Sequence, residues 1–151
     1  MTLSRATTLA AFLKKLEKRT ARAIWEAGIP RFEALLAAYE NLNTHMFLGL
    51  IYAKLGRRTQ ALEHARRALE ISPGDPWGLY LKGKIHSILG ETREAVATLR
   101  EAVAKGFVNL GMFDYHQSHL MGLYNLRNDA EFRTLRNELA ETVGRLRAKA
   151  E

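Results

Sequence analysis

Small residues recur at a spacing of 34 positions across residues 42 to 109, and this spacing limits what the chain can fold into. Six pairs share it: Gly49 and Gly83, Gly56 and Gly90, Ala61 and Ala95, Ala68 and Ala102, Ile51 and Ile85, and Leu55 and Leu89. Such a period, with two helical patterns in each unit, is typical of repeats that bury their apolar faces only against neighbouring repeats. We therefore predict two tandem units of two helices each, 42–75 and 76–109.

The small residues have physical roles in such a unit. Gly49 and Ala61 would let two antiparallel helices approach closely, while Gly56 and Gly90 would permit the left-handed turn that ends the first helix. Pro73 would end the second helix, because proline cannot donate the backbone hydrogen bond that continues it. We interpret these residues as structural.

The two units resemble the tetratricopeptide repeat. The first carries Leu48, Gly49, Tyr52, Gly56, Ala61, Ala65, Ala68 and Pro73, and the second carries Gly83, Gly90, Ala95, Leu99 and Ala102. In the second, Lys82, His86 and Phe107 stand where the family pattern favours Leu, Tyr and Pro. The resemblance implies an all-α fold, a short right-handed α-α superhelix (a solenoid) of two repeats flanked by helical caps.

The flanking segments are predicted to be those caps, in one folding unit. Residues 1–41 are expected to form a helical hairpin. Its first helix starts at Thr7 or Thr8 and stops at Gly28-Ile29-Pro30, and its second helix ends near Asn41 to Asn43. The C-terminal cap is predicted to be residues 110–151. Its pattern, together with the residues just before it, resembles the segment that closes bacterial tetratricopeptide arrays: Lys105-Gly106-Phe107, Leu123, Leu126-Arg127, Asp129, Phe132 and Leu135. Within this cap, 129–149 should form a final helix with these apolar residues at helical spacing: Phe132, Leu135, Leu139, Val143 and Leu146.

Composition excludes several classes of protein. The chain has 151 residues and no cysteine, which rules out a disulfide framework and a thiolate metal site. No apolar run reaches the roughly 20 residues that a membrane-spanning helix needs, so we expect a cytoplasmic protein. The net charge is +7, of which residues 1–31 contribute +5, so the basic character is concentrated in the first helix.

The first predicted helix has a basic face opposite its apolar stripe of Leu9, Leu13 and Leu16. The candidates on that face are Lys14, Lys15, Lys18, Arg19, Arg22 and Trp25. One interpretation is a solvated face with the tryptophan packed on a neighbouring helix. The other is a contact surface for RNA, an acidic peptide or an anionic membrane, because cations beside an indole suit such partners.

The resemblance also implies a protein or peptide partner in the concave groove formed by the first helix of each repeat. The groove candidates are Asn43, Met46, Phe47, Leu50, Lys54, Trp77, Tyr80, Leu81, Lys84 and Ile88. Aromatic side chains with lysines at the edge suit a partly hydrophobic ligand with an acidic group. The alternative is that a flanking segment of the chain itself covers the groove.

No residue pattern points to catalysis. The chain lacks a phosphate-binding loop, a nucleophile elbow and a dinucleotide fingerprint, so we expect no enzymatic activity and no cofactor. His116 and His119 are three apart beside Asp114, but nothing completes a four-ligand metal site. His86 is expected to be a packing residue, and His45 and His64 are expected at the surface.

The predicted function is a non-enzymatic protein–protein interaction module with an adaptor or scaffold role. Binding of RNA or an anionic surface through the first helix, and self-association, are the alternatives. The sequence leaves the oligomeric state open.

Overall fold

The computed structural model describes residues 5–114 and 122–150, and its regular elements there are all helices. They are α1 (Arg5–Ala38), α2 (Leu42–Lys54), α3 (Arg58–Ile71), α4 (Pro76–Ile88), α5 (Thr92–Ala104), α6 (Leu110–Asp114), a 3-10 turn (Tyr124–Leu126) and α7 (Ala130–Ala148). Helices α2 and α3 form the first repeat and α4 and α5 the second. Helix α2 also packs on α4, which stacks the repeats as a helical solenoid requires.

The glycines of the 34-residue period lie where two helices touch. A Cβ added at Gly49 would lie 2.8 Å from Cδ1 of Ile85 and 3.1 Å from the backbone oxygen of Ala61. One added at Gly83 would lie 2.7 Å from Cγ of Leu99. Both distances are shorter than a carbon atom tolerates, so the predicted role in close helix approach is confirmed.

The turns inside the repeats also follow the sequence. Gly56 and Gly90, which follow α2 and α4, have φ angles of 73° and 78°. Residues other than glycine rarely adopt this left-handed conformation, so the predicted turn is confirmed. Helix α4 begins with Pro76, and the Asp75 side chain accepts a hydrogen bond of 2.7 Å from the Gly78 backbone.

The helical hairpin predicted for residues 1–41 is wrong. Helix α1 runs without interruption through Gly28-Ile29-Pro30, with Pro30 inside it and exposed. A proline inside a helix removes one backbone hydrogen bond and costs about 3 kcal/mol. Here one face of α1 packs on the core on both sides of the proline, through Trp25 and Ile29 before it and Phe32 after it. That packing offsets the cost because a continuous helix brings the residues on both sides of the proline onto the core together.

The C-terminal segment packs on the second repeat through a cluster of aromatic rings. Phe113 of α6 is fully buried, 6.0 Å from the Tyr80 ring and 5.8 Å from the Phe132 ring. Helix α7 begins after Asp129, whose side chain accepts a hydrogen bond of 2.8 Å from the Phe132 backbone. The predicted final helix is therefore confirmed.

The apolar face of α7 is buried only over its first half. Phe132, Leu135 and Leu139 lie in the core, whereas Leu146 is exposed. No helix in residues 5–114 and 122–150 is long and apolar enough to span a membrane.

Candidate functional site

An open apolar cavity lies at the predicted groove, between α1, α2 and α4. Its volume is ≈ 210 Å³, and we call it the groove cavity. It is lined by Trp25, Phe32, Phe47, Leu50, Ile51, Lys54, Lys84, Ile88 and Gly122. All but two of these residues are apolar, so the walls suit a hydrophobic side chain of a ligand.

Two lysines bring positive charge to this apolar surface. The Lys54 ammonium lies 4.8 Å from the centroid of the Trp25 ring, and the Lys84 ammonium lies 5.7 Å from that of Tyr80. Burial lowers the pKa of Lys54, and burial together with the charge of Lys54 lowers the pKa of Lys84. Two like charges held in a partly dry site are stabilised by an anion between them. The cavity can therefore accept an acidic group beside an apolar one.

Five of the ten groove residues predicted from the sequence line the groove cavity: Phe47, Leu50, Lys54, Lys84 and Ile88. Phe47 is 41% exposed, and its ring centroid lies 6.1 Å from that of Phe32. Asn43 is exposed and accepts a hydrogen bond of 3.0 Å from the Trp77 indole. Trp77 is half-buried and stacks on Tyr80 and Phe107, so it lies at the covered end of the groove.

Three other predicted groove residues, Met46, Tyr80 and Leu81, are buried and not accessible to a partner. The Tyr80 ring stacks on Phe107 with a centroid distance of 4.4 Å, and its hydroxyl donates a hydrogen bond of 3.1 Å to the Met112 carbonyl. The segment that follows the second repeat thus covers that part of the groove. These residues cannot be part of an accessible binding surface in this conformation, because their side chains are in the core.

Sequence reasoning missed the contribution of α1 to the groove cavity. Trp25 was assigned to the basic face and Phe32 to a separate helix, yet both line the cavity. The apolar residues Trp25, Ile29, Phe32 and Leu36 are three or four positions apart, and this spacing is typical of one helical face that continues across Pro30. A helix break at Pro30, as predicted from the sequence, would place these residues on two separate helices.

The basic face of α1 lies apart from the groove cavity. Lys14, Lys15, Lys18, Arg19 and Arg22 are exposed, and Arg22 forms an ion pair of 3.2 Å with Glu26. Trp25 does not join them as an exposed stacking platform, because it is half-buried against the core beneath Lys54. Trp25 therefore packs on the neighbouring helices, which is the first of the two interpretations given for the basic face.

His45 of the first repeat is not the surface residue that the sequence predicted, whereas His64 beside it is half-buried. His45 is buried, with Nδ1 2.9 Å from Nδ1 of His64 and Nε2 2.9 Å from Oε1 of Glu40. Burial and the neighbouring His45 lower the pKa of His64. A hydrogen bond between the two rings needs one nitrogen to donate and the other to accept, so full protonation of both histidines would break it.

The second repeat also contains a buried histidine beside a carboxylate, because Nδ1 of His86 lies 2.6 Å from Oε2 of Glu91. His86 is thus the packing residue that the sequence predicted. His116 and His119 lie outside the described residues. Within the described ranges, no group of three or more His, Cys, Asp or Glu residues is placed to hold a metal ion.

Comparison with known proteins agrees with the repeat structure. Two family models, both described as tetratricopeptide repeat, match residues 43–75 and residues 78–104. These ranges coincide with α2–α3 and α4–α5. No curated protein and no solved structure matches the chain significantly.

Proposed function

Because residues 43–104 of this chain contain two tetratricopeptide repeats, we propose that it binds a partner protein through a peptide segment in the groove cavity. Tetratricopeptide repeats are generally protein-interaction modules without catalytic activity of their own. The single observation that carries the proposal is the pairing of an apolar cavity with the two lysines, Lys54 and Lys84. An adaptor or scaffold role in the cytoplasm remains a prediction from the sequence.

The chemistry of the groove cavity defines the class of peptide. An apolar or aromatic side chain fits against Trp25, Phe47 and Leu50, because burying it removes hydrophobic surface of both partners from water. An aspartate, a glutamate or a terminal carboxylate beside it would lie within reach of Lys54 and Lys84. Such a group would be attracted by both ammonium groups, and the attraction is stronger in a partly buried site than in bulk water.

A peptide-display selection on the immobilised full chain tests this proposal. We expect selected peptides to combine an acidic residue with a neighbouring bulky apolar one. Their affinity, measured by fluorescence anisotropy, should fall at least about tenfold for Phe47→Ala, which removes a side chain of the kind that dominates binding energies. Phe47 is partly exposed, so this variant should keep the fold.

Tyr39→Ala is the matched control, because Tyr39 is a 74% exposed aromatic residue outside the groove cavity. It should leave the affinity unchanged. Selected peptides that bind wild type and Phe47→Ala equally well, with both proteins folded by circular dichroism, would contradict the proposal.

A further inference from the structure

The N-terminal half of α1 carries an apolar stripe that none of the other helices in residues 5–114 and 122–150 covers. Every residue from 7 to 20 is exposed, and the large apolar residues there stand at helical spacing: Leu9, Phe12, Leu13 and Leu16. Ile24 continues the stripe and is 62% exposed. The face of α1 that packs on the core is a different one, formed by Trp25, Ile29 and Phe32.

The geometry of one helix explains this difference. At about 100° per residue, the stripe points roughly half a turn away from Trp25, Ile29 and Phe32, the residues through which α1 contacts the core. The stripe therefore faces away from α2 and from the groove cavity. A contiguous apolar surface of this kind on a water-soluble domain marks an interaction site.

The same segment carries an excess of positive charge. Residues 7–24 contain five cations and one carboxylate, Glu17. The only ion pair described for these cations joins Arg22 to Glu26. Lys15 and Arg19 border the stripe directly, because they line a shallow depression of ≈ 160 Å³ together with Phe12 and Leu16.

We propose that residues 7–24 of α1 form an amphipathic helix that lies on an anionic lipid surface. The stripe would enter the boundary between headgroups and acyl chains, while Lys15 and Arg19 bind lipid phosphates at its edge. Lys14, Lys18 and Arg22, on the far side of the helix, remain within about one Debye length of the surface and add to the attraction. The two repeats then stand away from the lipid, with the groove cavity free to bind a partner.

Charge favours lipid over the other occupants. A second copy could cover the stripe, but pairing would bring Lys15 and Arg19, which border the stripe, close to the same cations of the other copy, and like charges within about one Debye length repel each other. A nucleic acid would neutralise the cations and leave the stripe exposed to water. An anionic lipid surface is the partner that satisfies both features of the helix.

Vesicle cosedimentation with the full chain tests the proposal. We expect binding to vesicles of equal amounts of phosphatidylcholine and phosphatidylglycerol, little binding to phosphatidylcholine alone, and weaker binding as salt is raised. The triple variant Leu9→Gln, Phe12→Gln, Leu16→Gln should bind at least about tenfold more weakly, because each change removes an apolar side chain that the lipid would bury. Glutamine keeps the helix propensity of leucine, so the segment should stay helical.

Matched controls separate the stripe from general surface hydrophobicity. Ile71→Gln with Val108→Gln removes apolar side chains that are each 45% exposed elsewhere on the chain, and it should leave binding unchanged. Lys15→Gln with Arg19→Gln should weaken binding about fivefold per charge removed. Arg145→Gln with Arg147→Gln, two exposed changes in α7, should weaken it far less.

Three results would overturn the proposal. The first is no binding of the wild-type chain to anionic vesicles at low salt. The second is a triple variant that binds vesicles as well as wild type, which would show attraction by charge alone, as for any polyanion. The third is a wild-type dimer that the triple variant converts to a monomer while vesicle binding is unaffected, which would assign the stripe to a second copy.

Discussion

The ammonium nitrogen of Lys54 lies 4.8 Å from the centroid of the Trp25 ring, which joins α1 to the first repeat at the edge of the groove cavity. A cation above an indole face contributes about 0.5–2 kcal/mol, more as water is excluded. Helix α1 is therefore part of the groove and not only a cap on the array. The geometry of the groove cavity consequently depends on how α1 docks on α2.

Adding a methyl group at Gly49 should destabilise the fold. Gly49→Ala places its Cβ 2.8 Å from Ile85 and 3.1 Å from the backbone oxygen of Ala61, and the backbone atom cannot move away cheaply. Overpacking of this kind typically costs about 1–3 kcal/mol, measured by urea denaturation. Gly144→Ala in α7 is the control, because nothing lies within 4 Å of the added Cβ. It should stabilise the protein by up to about 1 kcal/mol through helix propensity, and equal effects at the two positions would contradict this account.

Truncating Phe113 should loosen the C-terminal segment from the second repeat. Its ring is fully buried between Tyr80, Phe107 and Phe132, so Phe113→Ala should lower the free energy of unfolding by about 3–5 kcal/mol. Hydrogen exchange should then increase in α6 and α7 before it increases in α2 and α3. Leu146→Ala, at an exposed position in α7, should change little. A Phe113→Ala protein as stable as wild type would show that the cluster does not hold this segment.

Lowering the pH should reduce the free energy of unfolding of the protein because His64 in the first repeat becomes protonated. Burial and the nearby His45 lower the pKa of His64 in the folded protein, so the neutral ring is the form that folding favours. The resulting stability is complete above about pH 6.5, the ordinary histidine pKa, and is lost as the pH falls below it, because the unfolded chain takes up the proton first.

The measurement compares wild type with His64→Gln, which keeps a polar group beside His45. The stability difference between them should shrink, or favour the variant, as the pH is lowered from about 7.5 to about 5.5, by at most about 1.4 kcal/mol per pH unit. Parallel pH profiles of the two proteins would argue that His64 titrates normally in the folded state.

Removing the charge of Lys84 should weaken peptide binding without lowering the stability of the fold. Lys84 is partly buried beside a second cation, so Lys84→Met should leave the unfolding free energy unchanged or raise it by about 1 kcal/mol. The same change should weaken binding of acidic groove peptides, because one of two positive charges is lost. Lys149→Met, at an exposed site in the last residues, should affect neither quantity. A clear loss of stability in Lys84→Met would show that its ammonium has a structural role.

The groove cavity was only partly predictable. The spacing of the repeats placed Phe47, Leu50 and Lys84 correctly on the first helices. It also placed Tyr80 there, but whether a side chain in that position is open to a partner depends on which segment packs over it. Phe113 lies more than thirty residues further along the chain, and no local pattern links it to Tyr80.

The sequence by itself determined the two repeats, their turns and the final helix, because these depend on neighbouring residues. The left-handed turn after α2 and the capping aspartate before α7 act within one helical turn. The glycines of the 34-residue period act between adjacent helices, and their regular spacing makes that role visible in the sequence. Only the tertiary structure decided that α1 continues through Pro30, that His45 is buried and that Trp25 lines the groove. Each of these features depends on contacts with residues that are distant in the sequence. The free energy of those contacts outweighs the local preference of Pro30 for a helix break, of His45 for an exposed ring and of Trp25 for a solvated face.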